Sequence, residues 1–310
     1  MIIQASMRTD IPAFYAEWFL NRLKAGFVLV RNPYDPSSVT RYRLSPEVVD
    51  AIGFCTKDPS PMLAHMDALK DYGQYWFVTI TPYGRDIEPN VPDREKVMAD
   101  VKTLSEIVGQ RRVGWRYDPI FISDEYPIER HIADFEHMAR TLEGCTDTCV
   151  ISFIDLYKKV RRNFPEVREV GREDRIALGR EFARIGAKYG MTIRACAEGT
   201  ELAPYGVDCA GCMTVDIWEK ALGQRLNVPK GKNQRDGACN CVLGSDVGAY
   251  DTCRHLCRYC YANADPDRVR KNKVFHDPSS PFLIGNSLPG DIVRDAKQES
   301  WIDPQIRMMF

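Results

Sequence analysis

Three cysteines lie close together near the end of the chain, in the run Cys253-Arg-His-Leu-Cys257-Arg-Tyr-Cys260. Thiolates separated by three residues and then by two can bind one metal centre from a single short loop. A structural zinc ion takes four protein ligands, whereas a four-iron cluster bound by three cysteines leaves one iron without a protein ligand. Such an iron can bind a small molecule, so the spacing predicts a catalytic [4Fe-4S] site. Two other interpretations stay open: a closed four-cysteine site that recruits Cys239 or Cys241, and three free thiols.

A second group of cysteines precedes this loop, as the pairs Cys209-Ala-Gly-Cys212 and Cys239-Asn-Cys241. Short paired spacings are common to zinc sites and iron–sulfur sites, so these four residues are candidates for a second cluster or a zinc ion. Buried thiols are the alternative. The remaining cysteines are scattered, and we interpret them as small buried hydrophobic residues: Cys55, Cys145, Cys149 and Cys196.

Composition excludes several classes of function. The formal net charge of the 310 residues is -1, so no overall field favours nucleic acid or an anionic membrane. The sequence begins without a basic leader or a long apolar run, and no later stretch reaches membrane-spanning length. Eleven cysteines in such a chain favour metal or thiolate chemistry over a disulfide framework. We therefore expect a cytoplasmic protein with no membrane partner, and we do not expect nucleic acid as a partner.

Short apolar segments alternate with amphipathic helical segments through the first two thirds of the chain. The predicted helices span 93–108, 127–143 and 173–189, each with apolar residues at helical spacing. Seven predicted strands span 2–5, 27–30, 52–55, 75–80, 113–116, 150–154 and 192–196. Strand–helix repeats of this kind predict a parallel sheet covered by helices. The number of repeats predicts a TIM-like (β/α) barrel, complete or nearly so, with an open doubly wound sheet as the alternative.

Two units follow from the change in composition after residue 205. Residues 1–205 would form the barrel body, and residues 206–310 would form a cysteine-rich iron–sulfur segment packed against the carboxyl-terminal face of the barrel. Charged residues collect where the predicted strands end, and that face carries the active sites of barrel enzymes. For each of these residues alone, a structural ion pair or a helix cap is the alternative. The candidates are Arg8, Lys57 and Arg116 as substrate or cofactor contacts, and Asp118 and Glu198 as catalytic residues.

The cysteine loop resembles the cluster loop of the radical S-adenosylmethionine enzymes, in which an aromatic residue such as Tyr259 commonly precedes the last cysteine. The resemblance implies S-adenosylmethionine on the open iron and a ferredoxin- or flavodoxin-type electron donor. It also implies cleavage of that cofactor to a radical that abstracts hydrogen from the substrate. This chain departs from the pattern in two ways: its loop lies near the carboxyl terminus, and no Gly-Gly-Glu-Pro-like segment follows a second strand.

A second resemblance covers nearly the whole chain. The segments Ser6 to Pro12, Trp115 to Pro119 and Tyr250 to Asn263 resemble a family described as domain of unknown function 1848. That family is noted for a carboxyl-terminal cysteine cluster like that of radical S-adenosylmethionine proteins, and it implies no particular reaction.

Three hypotheses of function follow. The first is a radical enzyme that acts on a small polar substrate at the mouth of the barrel. The second is a non-radical iron–sulfur enzyme, in which the open iron serves as a Lewis acid. The third is an electron-transfer or binding module that catalyses nothing by itself.

Overall fold

The computed structural model describes residues 1–231, 233–235, 239–242 and 244–307. The strands are β1 Ile2–Ala5, β2 Phe27–Arg31, β3 Ser38–Arg43, β4 Ala51–Thr56, β5 Gly73–Thr79, β6 Val113–Ile120, β7 Thr148–Phe153, β8 Thr192–Ala195, β9 Gln224–Leu226, β10 Asn233–Arg235, β11 Cys239–Val242, β12 Ser245–Asp246, β13 Ile292–Asp295 and β14 Ile302–Arg307. The helices are α1 Ile11–Phe14, α2 Ala16–Ala25, α3 Ser60–Leu63, α4 Arg94–Val108, α5 Ile128–Thr141, α6 Lys158–Asn163, α7 Arg172–Lys188, α8 Val215–Leu222 and α9 Pro266–Val274.

Seven strands form one open, all-parallel sheet in the order β12-β1-β4-β5-β6-β7-β8. Strand β12 comes from near the end of the chain and pairs with the first strand, with Ser245 opposite Ile3. Strands β1 and β4 are almost wholly buried. Parallel strands that are covered on both faces read as continuous apolar runs, which is why these segments lack an alternating pattern.

Neighbouring aromatic residues of β5 show how the two faces are covered. Trp76 stacks on Phe54 of β4, with ring centroids 3.9 Å apart, and Phe19 of α2 packs against Phe54 at 5.9 Å. Tyr75 points to the opposite face and meets Trp218 of α8 at 5.8 Å. Successive side chains of a strand alternate between faces, so helices cover both sides of the sheet in a Rossmann-like layout.

The prediction of a TIM-like barrel is wrong, because the sheet does not close. Closure would require the outer edges, β8 and β12, to pair, and strand number, tilt and stagger to be mutually consistent. The segment 27–30, predicted as a barrel strand, is instead β2, which pairs with β3 in an antiparallel hairpin outside the main sheet. Strand β13 extends that hairpin to three strands. The alternative of an open sheet is the one that the structure has.

The division into 1–205 and 206–310 remains a prediction, although β8 and β12, from opposite sides of that boundary, belong to the same sheet. The open sheet preserves one property expected of the barrel. The carboxyl ends of parallel strands still meet at one edge, which is where open α/β sheets bind ligands.

Candidate functional site

The cysteine loop, residues 253–260, lies over the carboxyl ends of β1, β4 and β5. Its anchor is Asp10, which follows β1 and is 4% exposed. One carboxylate oxygen of Asp10 accepts a hydrogen bond from the backbone N–H of Ala13 at 3.0 Å and thereby caps α1. The other oxygen lies 2.7 Å from the backbone nitrogen of Lys57 and 2.9 Å from Nε2 of His255. A single carboxylate therefore joins two strand ends to the loop.

Backbone contacts hold the loop in place. The backbone N–H of Arg258 donates to the carbonyl of Ile87 at 3.0 Å, and that of Asn90 donates to the carbonyl of His255 at 3.2 Å. Within the loop, Leu256 adopts a left-handed conformation with φ of 59°. The side chain of Asn263 closes the loop by donating to the carbonyl of Cys253 at 2.8 Å. The segment after β5 and the loop are thus joined by backbone hydrogen bonds.

The three thiols of the loop affect one another electrostatically. Burial raises the pKa of Cys253 well above its ordinary value, and the neighbouring Cys260, Asp10 and Cys257 raise it further. Burial likewise raises the pKa of Cys257 and of Cys260. Thiols that are this desolvated stay protonated unless a cation stabilises the thiolate.

A buried ion pair lies next to Cys257. Nζ of Lys57 is 2.9 Å from a carboxylate oxygen of Glu88, which is 4% exposed. The hydroxyl group of Thr81 donates to the same oxygen at 2.6 Å, and the hydroxyl of Tyr259 from the loop donates to it as well. Desolvation lowers the pKa of Lys57, but the attraction of Glu88 and Cys257 outweighs it, so the net shift is upward.

Arg116 and Asp118 lie on the same side of β6 and form a second ion pair, joined by three hydrogen bonds. Their side chains are only 13% and 14% exposed. Desolvation lowers the pKa of Arg116, but Asp118, Cys212 and Cys196 raise it, and the net pKa is well above the ordinary value. Tyr261, which directly follows the loop, donates a hydrogen bond to the carbonyl of Met7. The pKa of Tyr261 is raised by desolvation and then by Cys260 and Cys55, and Arg116 opposes the shift.

Two other predicted site residues lie farther along the edge. Arg8 pairs with Asp246 of β12 at 2.6 Å, and its guanidinium lies 5.4 Å from the centre of the Tyr250 ring. Glu198, near the end of β8, accepts a hydrogen bond from the backbone N–H of Phe153 at 2.8 Å and lies 3.6 Å from Arg175. The structure therefore places Lys57 next to the loop, Arg116 and Asp118 on β6 farther along the same edge, Arg8 after β1, and Glu198 at the β8 end of the sheet edge. Two cavities open along this edge, one of about 280 Å³ beside Glu88 and one of about 220 Å³ beside Glu198.

Two cysteines of the second predicted group, Cys212 and Cys241, lie in contact in the structure, and Cys196 from outside that group joins them. Sγ of Cys212 lies 3.7 Å from Sγ of Cys241 and 3.4 Å from Sγ of Cys196, and we name these three residues the sulfur row. Cys209 is directed elsewhere, with its Sγ 3.6 Å from the carbonyl of Val207. The thiol hydrogen bond from Cys212 lowers the pKa of Cys241. Within the part of the chain that the structure describes, no group of three or more His, Cys, Asp or Glu residues is arranged to hold a metal ion.

Sequence reasoning missed three partners at this edge. Glu88 lies in a proline-rich segment after β5, which gives no local signal of a buried carboxylate. Asp246 lies on a strand of only two residues. Cys196 is isolated in the sequence, so its contact with Cys212 depends wholly on tertiary structure. Its position directly after β8 was the one available hint for Cys196.

Comparisons with known proteins assign a family but no activity. None of the described helices is both long enough and apolar enough to cross a membrane. No curated protein matches the chain. The model of the family described as domain of unknown function (DUF1848) matches residues 2–262. Because this match covers most of the 310 residues, including the cysteine loop and the strand ends beneath it, the chain belongs to the DUF1848 family.

Proposed function

We propose that this protein is an iron–sulfur enzyme, in which Cys253, Cys257 and Cys260 hold a [4Fe-4S] cluster above a polar substrate site. One observation carries the proposal: the loop lies directly over the carboxyl edge of the parallel sheet, where open α/β proteins bind ligands. Buried pairs of charges, Lys57 with Glu88 and Arg116 with Asp118, lie beneath and beside it. Buried ion pairs contribute little net stability, so their concentration at this edge favours a binding role.

Three thiols on one short loop suit a cluster that is larger than a single ion. Ligands that share one zinc ion lie about 2.3 Å from it, which brings their sulfurs within about 4 Å of one another. In a four-iron cluster each thiolate binds a different iron, so its sulfurs lie farther apart. Three mutually interacting thiols on one short loop are compatible with this larger group.

When bound, a [4Fe-4S] cluster with one iron free of protein ligands supplies a coordination position for a small molecule, here proposed as S-adenosylmethionine, and delivers single electrons. The residues of the chain do the rest. Lys57 places a positive charge beside Cys257 and partly balances the negative charge of bound thiolates. Arg116 can bind an acidic group of a small polar substrate, while Asp118 orients the reacting atom and the loop limits access of water.

The other components of the proposal follow from this site. A ferredoxin- or flavodoxin-type donor would supply the electron. All eleven cysteines are free thiols in the structure. Free thiols in this number suit the reducing conditions of the cytoplasm.

Anaerobic reconstitution tests the cluster. Full-length protein is incubated with iron and sulfide and then analysed for bound iron, acid-labile sulfide and the electron paramagnetic resonance of its reduced form. We expect equal amounts of iron and sulfide, and loss of both in Cys257→Ala. Cys145→Ser, which changes a buried thiol outside the site, should retain both. Equal metal content in Cys257→Ala and Cys145→Ser would refute the proposal.

Addition of S-adenosylmethionine separates the radical reaction from its alternative. A change in the resonance spectrum together with formation of 5'-deoxyadenosine would support radical chemistry. An intact cluster that forms no 5'-deoxyadenosine under reducing conditions would overturn the radical part and leave the open iron as a Lewis acid.

A further inference from the structure

The sulfur row consists of three sulfur atoms in successive contact, contributed by distant parts of the chain. Cys212 lies in the middle, 3.4 Å from Cys196 and 3.7 Å from Cys241. These separations are close to van der Waals contact. The central thiol therefore has two alternative partners for a disulfide.

Backbone interactions keep the row in place. The backbone N–H of Cys196 donates to the carbonyl of Ile151 at 2.9 Å, which fixes Cys196 at the end of β8. The backbone N–H of Met213 donates to Sγ of Cys241 at 3.3 Å, and the N–H of Val242 donates to the carbonyl of Met213 at 2.7 Å. The segment that carries Cys212 is thus hydrogen-bonded to the strand that carries Cys241.

Gly211 shows that this approach is close. Its φ is 126°, and a Cβ at this position would lie 2.9 Å from Sγ of Cys241. Any other residue would be strained and would also press on the sulfur. The backbone of residue 211 therefore gives Cys241 the space that it needs beside Cys212.

The three thiols differ in their access to solvent. Cys212 and Cys241 are 2% and 1% exposed, whereas Cys196 is partly exposed. A dissolved reagent must therefore react first at Cys196, at one end of the row. The three sulfurs also do not converge on a single point suited to a metal ion, within the described ranges of the chain. The two contacts of Cys212 favour exchange between neighbouring pairs of sulfurs.

We propose that the sulfur row is a thiol–disulfide relay, which accepts oxidising equivalents from low-molecular-weight disulfides at Cys196 and stores them as a buried disulfide between Cys212 and Cys241. The relay is independent of the iron–sulfur cluster, because it uses none of the three cysteines of the loop. Its oxidant is a disulfide of the glutathione type.

The relay has three exchange steps, each of which breaks one S–S bond and forms another. First, the Cys196 thiolate attacks the small disulfide, forms a mixed disulfide and releases one small thiolate. Next, the Cys212 thiolate attacks the sulfur of Cys196 and releases the second small thiolate. Finally, the Cys241 thiolate attacks Cys212 and releases Cys196 as a thiolate. Two protein thiols are oxidised, the small disulfide is reduced to two thiols, and the two protons lost by the protein are taken up by those thiols.

Peptide mapping by mass spectrometry tests the relay on the unaltered protein. Full-length protein is incubated with oxidised glutathione, alkylated and digested. We expect a Cys212–Cys241 disulfide, with Cys196 alkylated as a free thiol. A product that stops at Cys196–Cys212, a disulfide confined to the cysteine loop, or no disulfide would overturn the relay. Stoichiometric zinc bound by the reduced row would overturn it as well.

Variants identify the order of the steps. Cys212→Ser should accumulate glutathione on Cys196, and Cys241→Ser should stop at Cys196–Cys212. Cys196→Ser should form the buried disulfide at least about tenfold more slowly. Cys145→Ser, the matched control, should behave as the unaltered protein. Unchanged kinetics in Cys196→Ser would contradict entry at that residue. Circular dichroism checks that each variant is folded, and the mapping of the unaltered protein does not depend on any of them.

Discussion

The two groups of cysteines in this protein differ in how the fold brings them together. The cysteine loop draws its three thiols from eight consecutive residues, 253–260, and its charged partners come from the segments that follow β1, β4 and β5. The sulfur row draws single thiols from three segments and places them in contact with one another. Local spacing therefore identifies the first group, and only tertiary structure identifies the second. The comparison also teaches that spacing alone does not determine which thiols come into contact, because Cys209 and Cys212 are close in sequence yet only Cys212 joins the row.

The largest effect should follow from breaking the buried ion pair under the loop. Lys57→Met leaves Glu88 buried without its cation, and we expect a loss of about 3 kcal/mol in the free energy of unfolding. Lys96→Met, which removes a 2.7 Å pair whose lysine is 53% exposed, should cost less than about 1 kcal/mol. Urea denaturation measures both. Equal losses would show that the buried pair beneath the loop contributes no more to stability than an exposed ion pair.

The next effect concerns the anchor of the loop. Asp10→Ala removes a helix cap and the acceptor for Lys57 and His255, so we expect a loss of about 2 kcal/mol. Asp93→Ala removes only a cap on α4, where Asp93 accepts from Glu95 at 2.9 Å, and should cost about 1 kcal/mol. Alkylation kinetics followed by peptide mapping sharpen the comparison. In Asp10→Ala, Cys257 should react faster while Cys212 does not, and faster alkylation of both would mean that the two groups open together.

A smaller effect should follow from crowding the sulfur row. Gly211→Ala adds a methyl group against Cys241 at a backbone position that disfavours side chains. Gly109→Ala is the matched control, because its φ is also positive, at 89°, and nothing lies within 4 Å of the added Cβ. We expect Gly211→Ala to be less stable than Gly109→Ala by about 1 kcal/mol in thermal or urea unfolding. Equal stability of the two variants would show that the row tolerates displacement of Cys241.

The smallest effect concerns the acid sensitivity of the protein, which we expect to arise in part from His131, outside both groups of cysteines. His131 is fully buried between the hydroxyl of Tyr117 and the carbonyl of Phe121, each at 2.8 Å. Burial lowers its pKa, so the folded protein keeps the ring neutral while the unfolded chain protonates it. Stability contributed in this way is present above the ordinary pKa of about 6.5 and is lost as the pH falls below it.

Urea unfolding at pH 7.5 and pH 5.5 measures this contribution. The unaltered protein should lose up to about 1 kcal/mol more than His131→Gln over this interval. A pH dependence that His131→Gln leaves unchanged would assign the acid sensitivity to other groups.

Much of the fold follows from local pattern. Helices α4, α5 and α7 begin and end within two residues of the predicted bounds, because apolar spacing and the Asp93 cap are local signals. Sheet closure is not local. The segments 27–30 and 192–196 look equally strand-like in sequence, yet one forms a hairpin with β3 and the other an edge of the main sheet. The barrel prediction failed because apolar strands do not specify which neighbours they pair with.

The candidate site divides in the same way. Membership of the chain in the DUF1848 family, predicted from the segments 6–12, 115–119 and 250–263, is confirmed by the match over residues 2–262. The positions of Lys57, Arg116 and Asp118 towards the carboxyl edge could be predicted, since parallel strands end at one edge whether or not the sheet closes. Their partners could not all be predicted. Glu88 and Asp246 reach Lys57 and Arg8 only through the packing of loops.

The pairing of Ser245 with Ile3 has a consequence for the order in which the protein matures. The outer strand next to β1 is synthesised more than two hundred residues after it, so one flank of β1 must wait for most of the chain to leave the ribosome. The anchor Asp10 meets His255 only after the same delay. Contacts between such distant residues form slowly, because a long loop must be closed first. Under the proposed function, assembly of the cluster is accordingly a late event in biogenesis, and truncated nascent chains should expose reactive thiols that the finished protein shields.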